Sequence, residues 1–127
     1  VQPTGSGKAN VTLDDVKATL NQYGLVASDN SLISARNGSY SQNTGYGLLA
    51  YANSAPTAVE LTGATVSMNT SYGIAVNGAA GVSATLSRTR IFGNYVGLSG
   101  SGIYSFGDNA ISSNVVDGVP NVVLPLK

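Results

Sequence analysis

The 127-residue chain contains no cysteine, no histidine and no tryptophan, and charged side chains make up only 9% of it. Without cysteine there is no disulfide framework and no thiolate nucleophile, and the redox compartment leaves no mark on the sequence. Without histidine the side chain best suited to proton transfer near neutral pH is missing, so Ser–His and Cys–His arrangements and His-based metal sites are excluded. Six basic and six acidic residues cancel to a formal net charge of zero. The bases Lys8, Lys17, Arg36, Arg88, Arg90 and Lys127 are scattered, which leaves no electrostatic footprint for nucleic acid or an anionic membrane. No apolar run approaches the length of a membrane span.

What the sequence does have is a period. The phrase Val66-Ser-Met-Asn69-Thr-Ser-Tyr72-Gly73-Ile74 recurs in degraded copies around Asn21, Asn43, Asn94 and Asn114, at spacings of 22, 26, 25 and 20 residues. Glycines follow at Gly24, Gly47, Gly73, Gly97 and Gly118. Spacings of this size indicate a solenoid, propeller or array, and a propeller blade needs about 40 residues or more. Val, Thr, Ser and Asn in two-residue alternation argue against helical repeats. Aligned on the asparagines, apolar columns emerge: Val11, Ile33, Val59, Ala84, Tyr104, then Leu13, Ala35, Leu61, Leu86, Phe106. After a bend come Ala18, Tyr40, Val66, Ile91, Ile111, and past the glycine Leu25, Leu48, Ile74, Leu98, Val119. Polar columns alternate with these, as when one sheet face lines a core and the other meets water. The expected fold is all-β: a parallel β-helix of about five rungs of 20–26 residues, each with three short strands.

The asparagine column has a physical rationale. At a sharp bend a side-chain amide can bond local backbone and its equivalents one rung away, at about 4.8 Å. Buried without partners each amide would cost roughly 1–3 kcal/mol, so a ladder makes sense only as a continuous run. The glycine column implies either positive φ or a close backbone approach. Both columns are read as structural rather than as a binding site.

The Asn-x-x-Tyr-Gly-Ile phrase with its period of roughly 24 residues resembles the right-handed parallel β-helix repeat of the pectate-lyase-like superfamily, in particular bacterial β-helix repeat proteins, over about residues 9–119. The resemblance supplies the handedness and specifies fold far better than function. It also makes a secreted, periplasmic or cell-surface location the expectation for so Ser/Thr/Asn/Gly-rich a chain.

Residues 1–8 align with the connection leaving a complete rung, so they read as the remnant of a preceding rung and the chain as the C-terminal part of a longer solenoid. Residues 119–127 leave the period, carry two prolines, and read as a strap over the last rung's sheet edge and core end. Residues 1–127 form one domain on this reading.

Acid–base chemistry on polysaccharide, the activity the resemblance implies, requires several carboxylates on one outer face. The six available are Asp14, Asp15, Asp29, Glu60, Asp108 and Asp117, and no three occupy neighbouring outward columns on consecutive rungs. No enzymatic activity, cofactor or metal is therefore expected. Tyr23, Tyr46 and Tyr72 recur before the glycine on three successive rungs, with Tyr95 near a fourth. Facing outward they would form a platform for sugar rings; packed on one another they would be corner spacers. The expectation is a structural or surface-interaction module, prone to end-to-end self-association through an open first rung, with carbohydrate binding, or descent from a polysaccharide lyase or hydrolase, as the alternative.

Overall fold

Short β-branched and apolar runs broken by Asn, Gly and Ser cannot close a helix of useful length, and the chain coils instead. The computed structural model describes residues 1–78 and 81–126. The first turn comprises β1 (Ala9–Asp14), β2 (Lys17–Thr19) and β3 (Tyr23–Ser28), and the second β4 (Ser31–Arg36), β5 (Ser39–Ser41) and β6 (Tyr46–Ala52). The third holds β7 (Thr57–Thr62), β8 (Thr65–Ser67) and β9 (Tyr72–Gly78), and the fourth β10 (Val82–Ser87), β11 (Arg90–Phe92) and β12 (Val96–Gly100). A fifth turn supplies β13 (Ile103–Ser105) and β14 (Ala110–Ser112), and β15 (Val122–Val123) follows.

Three parallel sheets result, in the orders β1-β4-β7-β10-β13-β15, β2-β5-β8-β11-β14 and β3-β6-β9-β12. The architecture is an all-β parallel solenoid of about four turns with three strands per turn. The fifth turn lacks its third strand; a lone bridge from Val116 to Val96 marks the place. There Gly118 turns the chain aside at φ 71° and Pro120 offers no N–H to continue a ladder.

The interior columns stack as the alternation implies. Val11, Ile33, Val59 and Ala84 are in register, as are Ala18, Tyr40, Val66, Ile91 and Ile111, and Leu25, Leu48, Ile74 and Leu98. The central turns bury these side chains almost completely, whereas Val11, Leu13, Ala18 and Ile111 near the ends are only partly covered.

The fifth turn departs from the expected register. Tyr104 pairs with Thr85 on the outer face, and Ile103 and Ser105 point inward, both buried. Tyr104 and Phe106 are therefore not core residues. The corner after Ser105 holds one residue more than its counterparts, and a one-residue slip exchanges the faces of a strand. Gly107, at φ 80°, takes up the surplus, and Asn109 bridges the corner to Ser105 Oγ and the Leu86 carbonyl. Val119, expected in the Leu98 column, is 79% exposed. The strap covers the edge of β13 through β15, but its side chains Val122, Val123 and Leu126 face solvent rather than the core end.

Two corners of each turn use left-handed backbone. One column is Asp15, Asn37, Gly63 and Arg88; the other is Leu20, Gln42, Met68, Gly93 and Ser113, each directly before a ladder asparagine, with φ between 48° and 68°. Such a conformation costs an L-residue about 1–2 kcal/mol, so it persists only where neighbouring turns impose it. The corner amides remain stacked: Gln42 N–H donates to the Ser67 carbonyl at 3.0 Å and Met68 N–H to Phe92 at 3.1 Å.

Tyr40 is the largest fully buried side chain, and its hydroxyl finds no partner. Burial pushes its pKa upward. A Cβ on Gly38 would lie 2.8 Å from that hydroxyl, so glycine there gives the ring its room. Tyr40→Phe is expected to raise stability by about 1 kcal/mol by removing an unpaired buried hydroxyl. Tyr40→Ala should cost about 3–5 kcal/mol, both read from urea unfolding midpoints.

Candidate functional site

The residues that recur most strictly meet at one corner. Asn69 Oδ1 accepts from the Asn43 N–H and Asn43 Nδ2, both at 3.0 Å. Asn69 Nδ2 in turn donates to Asn94 Oδ1 at 2.8 Å and to the Tyr40 carbonyl at 3.1 Å, and its own N–H donates to Asn94 Oδ1 at 3.0 Å. Asn94 repeats the pattern onto Asn114 at 2.9 Å through both donors. Asn43, Asn69 and Asn94 are completely buried, and each side-chain amide is satisfied by the turns on either side. Asn21 joins only by its backbone: its N–H reaches Asn43 Oδ1 at 3.1 Å while its Nδ2 turns to the Thr19 carbonyl.

Every asparagine-to-asparagine bond in this file runs toward the C-terminal end, while Asn43, Asn69, Asn94 and Asn114 Nδ2 each also donate to a carbonyl of the preceding turn. At that end stands Asp117, which the repeat pattern does not single out. Its Oδ1 accepts from Asn114 N–H at 3.0 Å and Asn114 Nδ2 at 2.9 Å, in the role played elsewhere by the next asparagine. The Asn114 side-chain and backbone bonds hold its carboxyl below the usual range.

The glycine column works by close approach. A Cβ on Gly47 would sit 2.7 Å from the Gly73 carbonyl oxygen, 2.7 Å from Asn69 Nδ2 and 2.5 Å from Val66 Cγ1. Gly24, Gly73 and Gly97 meet equivalent atoms. Gly118 lies outside the column: Asp117 carries the carbonyl that faces Gly97, and Gly118 rests over Leu98.

The tyrosines stack on one another. Tyr23 and Tyr46 have ring centroids 5.5 Å apart and Tyr46 and Tyr72 5.0 Å apart, each pair inclined by 13°. Both faces of the middle ring are thereby occupied, and the stack turns edges rather than faces outward. Val96 holds the register position on the fourth turn, and Tyr95 is 59% exposed beside it.

Among the described residues no three Asp, Glu, Cys or His side chains gather where a metal ion could sit. Three carboxylates are shifted, all downward. Asp29 Oδ1 accepts N–H bonds from Asn53, Ser54 and Ala55 at 2.7, 3.0 and 3.3 Å, and the Ser54 and Asn53 bonds lower its pKa most. For Asp108, burial pushes upward but is outweighed by the Arg88 backbone bond, the Ser87 hydroxyl at 2.9 Å and the Arg88 charge. These arrangements favour carboxylates that stay ionised and hold backbone in place. An open groove of about 420 Å³ lies near the third corner, lined by Lys8, Asn30, Leu32, Pro56, Thr57 and Ser83 among others, with the Thr57 hydroxyl buried and unpartnered. No family model, curated protein or solved structure matches the chain.

Asn69→Ala would leave the Asn43 donors without an acceptor in a buried place, and should cost about 2–5 kcal/mol. Asn21→Ala, at the exposed end, should cost less than about 1 kcal/mol in the same urea series. Equal losses at the two positions would contradict the ladder as described. Asp29 provides a pH test. Its folded pKa lies below the ordinary 3.8, so its contribution is present above that value and disappears as pH falls through the folded pKa. The amide resonances of Asn53, Ser54 and Ala55 should titrate together with a midpoint below 3.8; a midpoint at or above it would contradict the bonding.

Proposed function

We propose that this solenoid is a non-enzymatic structural or surface-interaction module, allied to the right-handed β-helices of the pectate-lyase-like superfamily and working in a secreted, periplasmic or cell-surface setting. One observation carries the reading. The positions that repeat from turn to turn are interior or corner residues that satisfy one another, whereas the central outward row of the first sheet reads Thr12, Ser34, Glu60, Thr85, Tyr104. A ligand-bearing face built by repetition would show recurring chemistry outward. Here recurrence serves the coil.

A second reading, carbohydrate contact, has the groove in its favour. Ser83 and Lys8 line it together with apolar Leu32 and Pro56, the mixture of polar and apolar groups that sugar rings use. The tyrosine stack supports the structural reading instead, because both faces of the middle ring, Tyr46, are taken by its neighbours.

Tyr46→Ala separates the two roles of that stack. It breaks two aromatic pairs worth about 0.5–1.5 kcal/mol each, so the melting temperature should fall while retention on immobilised polysaccharides stays unchanged. Lost retention at an unchanged melting temperature would overturn the structural assignment of the tyrosines. A broad glycan array on the unaltered protein tests the module itself: reproducible binding, abolished by Ser83→Trp in the groove, would replace the structural reading with the carbohydrate one.

A further inference from the structure

The three sheets do not treat their outer faces alike. The first presents Thr12, Ser34, Glu60 and Thr85 in its central outward row, and the second presents Lys17, Ser39, Thr65 and Arg90, as on faces left to water. On the third sheet the strands read as unbroken apolar runs: Leu25-Val26-Ala27, Leu48-Leu49-Ala50 and Ile74-Ala75-Val76. Leu25, Leu48, Ile74 and Leu98 face the interior, so Val26, Leu49, Ala75 and Ser99, in register on successive turns, form the outward row. None of these four belongs to the interior cluster, although Ala75 is buried between its neighbours. A parallel sheet with apolar residues on both faces is ordinarily covered on both.

Charge is missing from this sheet as well. The chain has six basic and six acidic residues, and none of them lies in β3, β6, β9 or β12. Tyrosines, a residue type enriched at protein interfaces, flank the row: the Tyr23, Tyr46 and Tyr72 stack where the strands begin, and Tyr51 beyond Leu49.

We propose that a second copy of the chain docks on this face, side against side, about a two-fold axis running along the strands between the second and third turns. That axis sets the first turn of one copy against the fourth turn of the other. Leu49 then lies over the partner's Ala75 and Val26 over the partner's Ser99, and symmetry supplies the reciprocal contacts. Each pairing places a larger side chain on a smaller one, so the two rows interdigitate. An axis along the coil would instead set leucine on leucine and leave a gap at Ala75. A face without charge also meets itself without bringing like charges together, which is what self-pairing requires. Four strands at ~4.8 Å spacing, each about 20 Å long, offer roughly 400 Å² per copy, less than the about 600 Å² a side of standard interfaces, so the dimer is a weak one.

Sedimentation equilibrium tests it. The mass of the unaltered protein should climb from one chain toward two, and no further, as concentration rises from about 10 μM to about 1 mM. Leu49→Lys should hold the mass at one chain over that range with an unchanged circular dichroism spectrum. Should Leu49→Lys fail to fold, Ser99→Lys, at a polar and partly exposed position, should give the same result. The chain has no cysteine, so a mixture of Leu49→Cys and Ala75→Cys proteins reports the geometry. Under mild oxidation the mixed disulfide should exceed the about one half that random pairing gives. A single-chain mass up to 1 mM, growth beyond two chains, or a dimer that survives a folded lysine variant would each defeat the proposal. So would a mixed disulfide at or below one half. Capture by neutral lipid vesicles, abolished by Leu49→Lys and unaccompanied by self-association, would assign the face to a membrane surface instead.

Discussion

A primary amide buried in a protein interior has two hydrogens and two lone pairs to place, and leaving any of them idle is expensive. In this chain the Asn43, Asn69 and Asn94 amides meet that demand almost wholly through each other and through carbonyls of the preceding turn. Such an arrangement has no solution for a single turn; it exists only when turns are stacked at strand spacing. Much of the local architecture then follows. The residue before each asparagine adopts a left-handed conformation so that the amide points inward. The glycine beyond must lack a Cβ, because the carbonyl of the next turn and the neighbouring amide nitrogen come within about 3 Å of where it would be.

The length of a turn varies because the surplus residues lie away from this corner. The Asn53–Pro56 connection is tied down by the Asp29 carboxylate, and the corner beyond Ser105 absorbs its extra residue with Gly107 and Asn109. Stability and surface are thus written on different residues. The interior can be held constant while the outward rows drift, which is why a chain with so regular an inside carries so little repeated chemistry outside.

Sequence reading recovered what repetition encodes. The asparagine file, the glycine approach and all four apolar columns across four turns are visible from spacing alone, because each position meets the same neighbour on every turn. It failed where repetition fails. In the fifth turn a constant offset from Asn114 puts Tyr104 and Phe106 inside, and nothing short of seeing the Ser105–Ile111 corner reveals that Ile103 and Ser105 belong there. Asp117 was missed for a related reason: it replaces an asparagine by geometry, three residues after Asn114, rather than by position in the period. That the tyrosines present edges rather than faces depends on side-chain rotation, which spacing does not determine.

The one-way arrangement of the asparagine file has a consequence for how the chain is made. One hydrogen of each buried amide bonds a carbonyl of the preceding turn, and the other finds its acceptor on a turn that lies later in the sequence. As the polypeptide leaves the ribosome, the newest finished turn always holds donors with nothing yet to receive them, and every added turn settles the one before while opening a fresh vacancy. Only when residue 117 has emerged does the file close. The nascent coil is therefore least complete at its growing tip until Asp117 is in place.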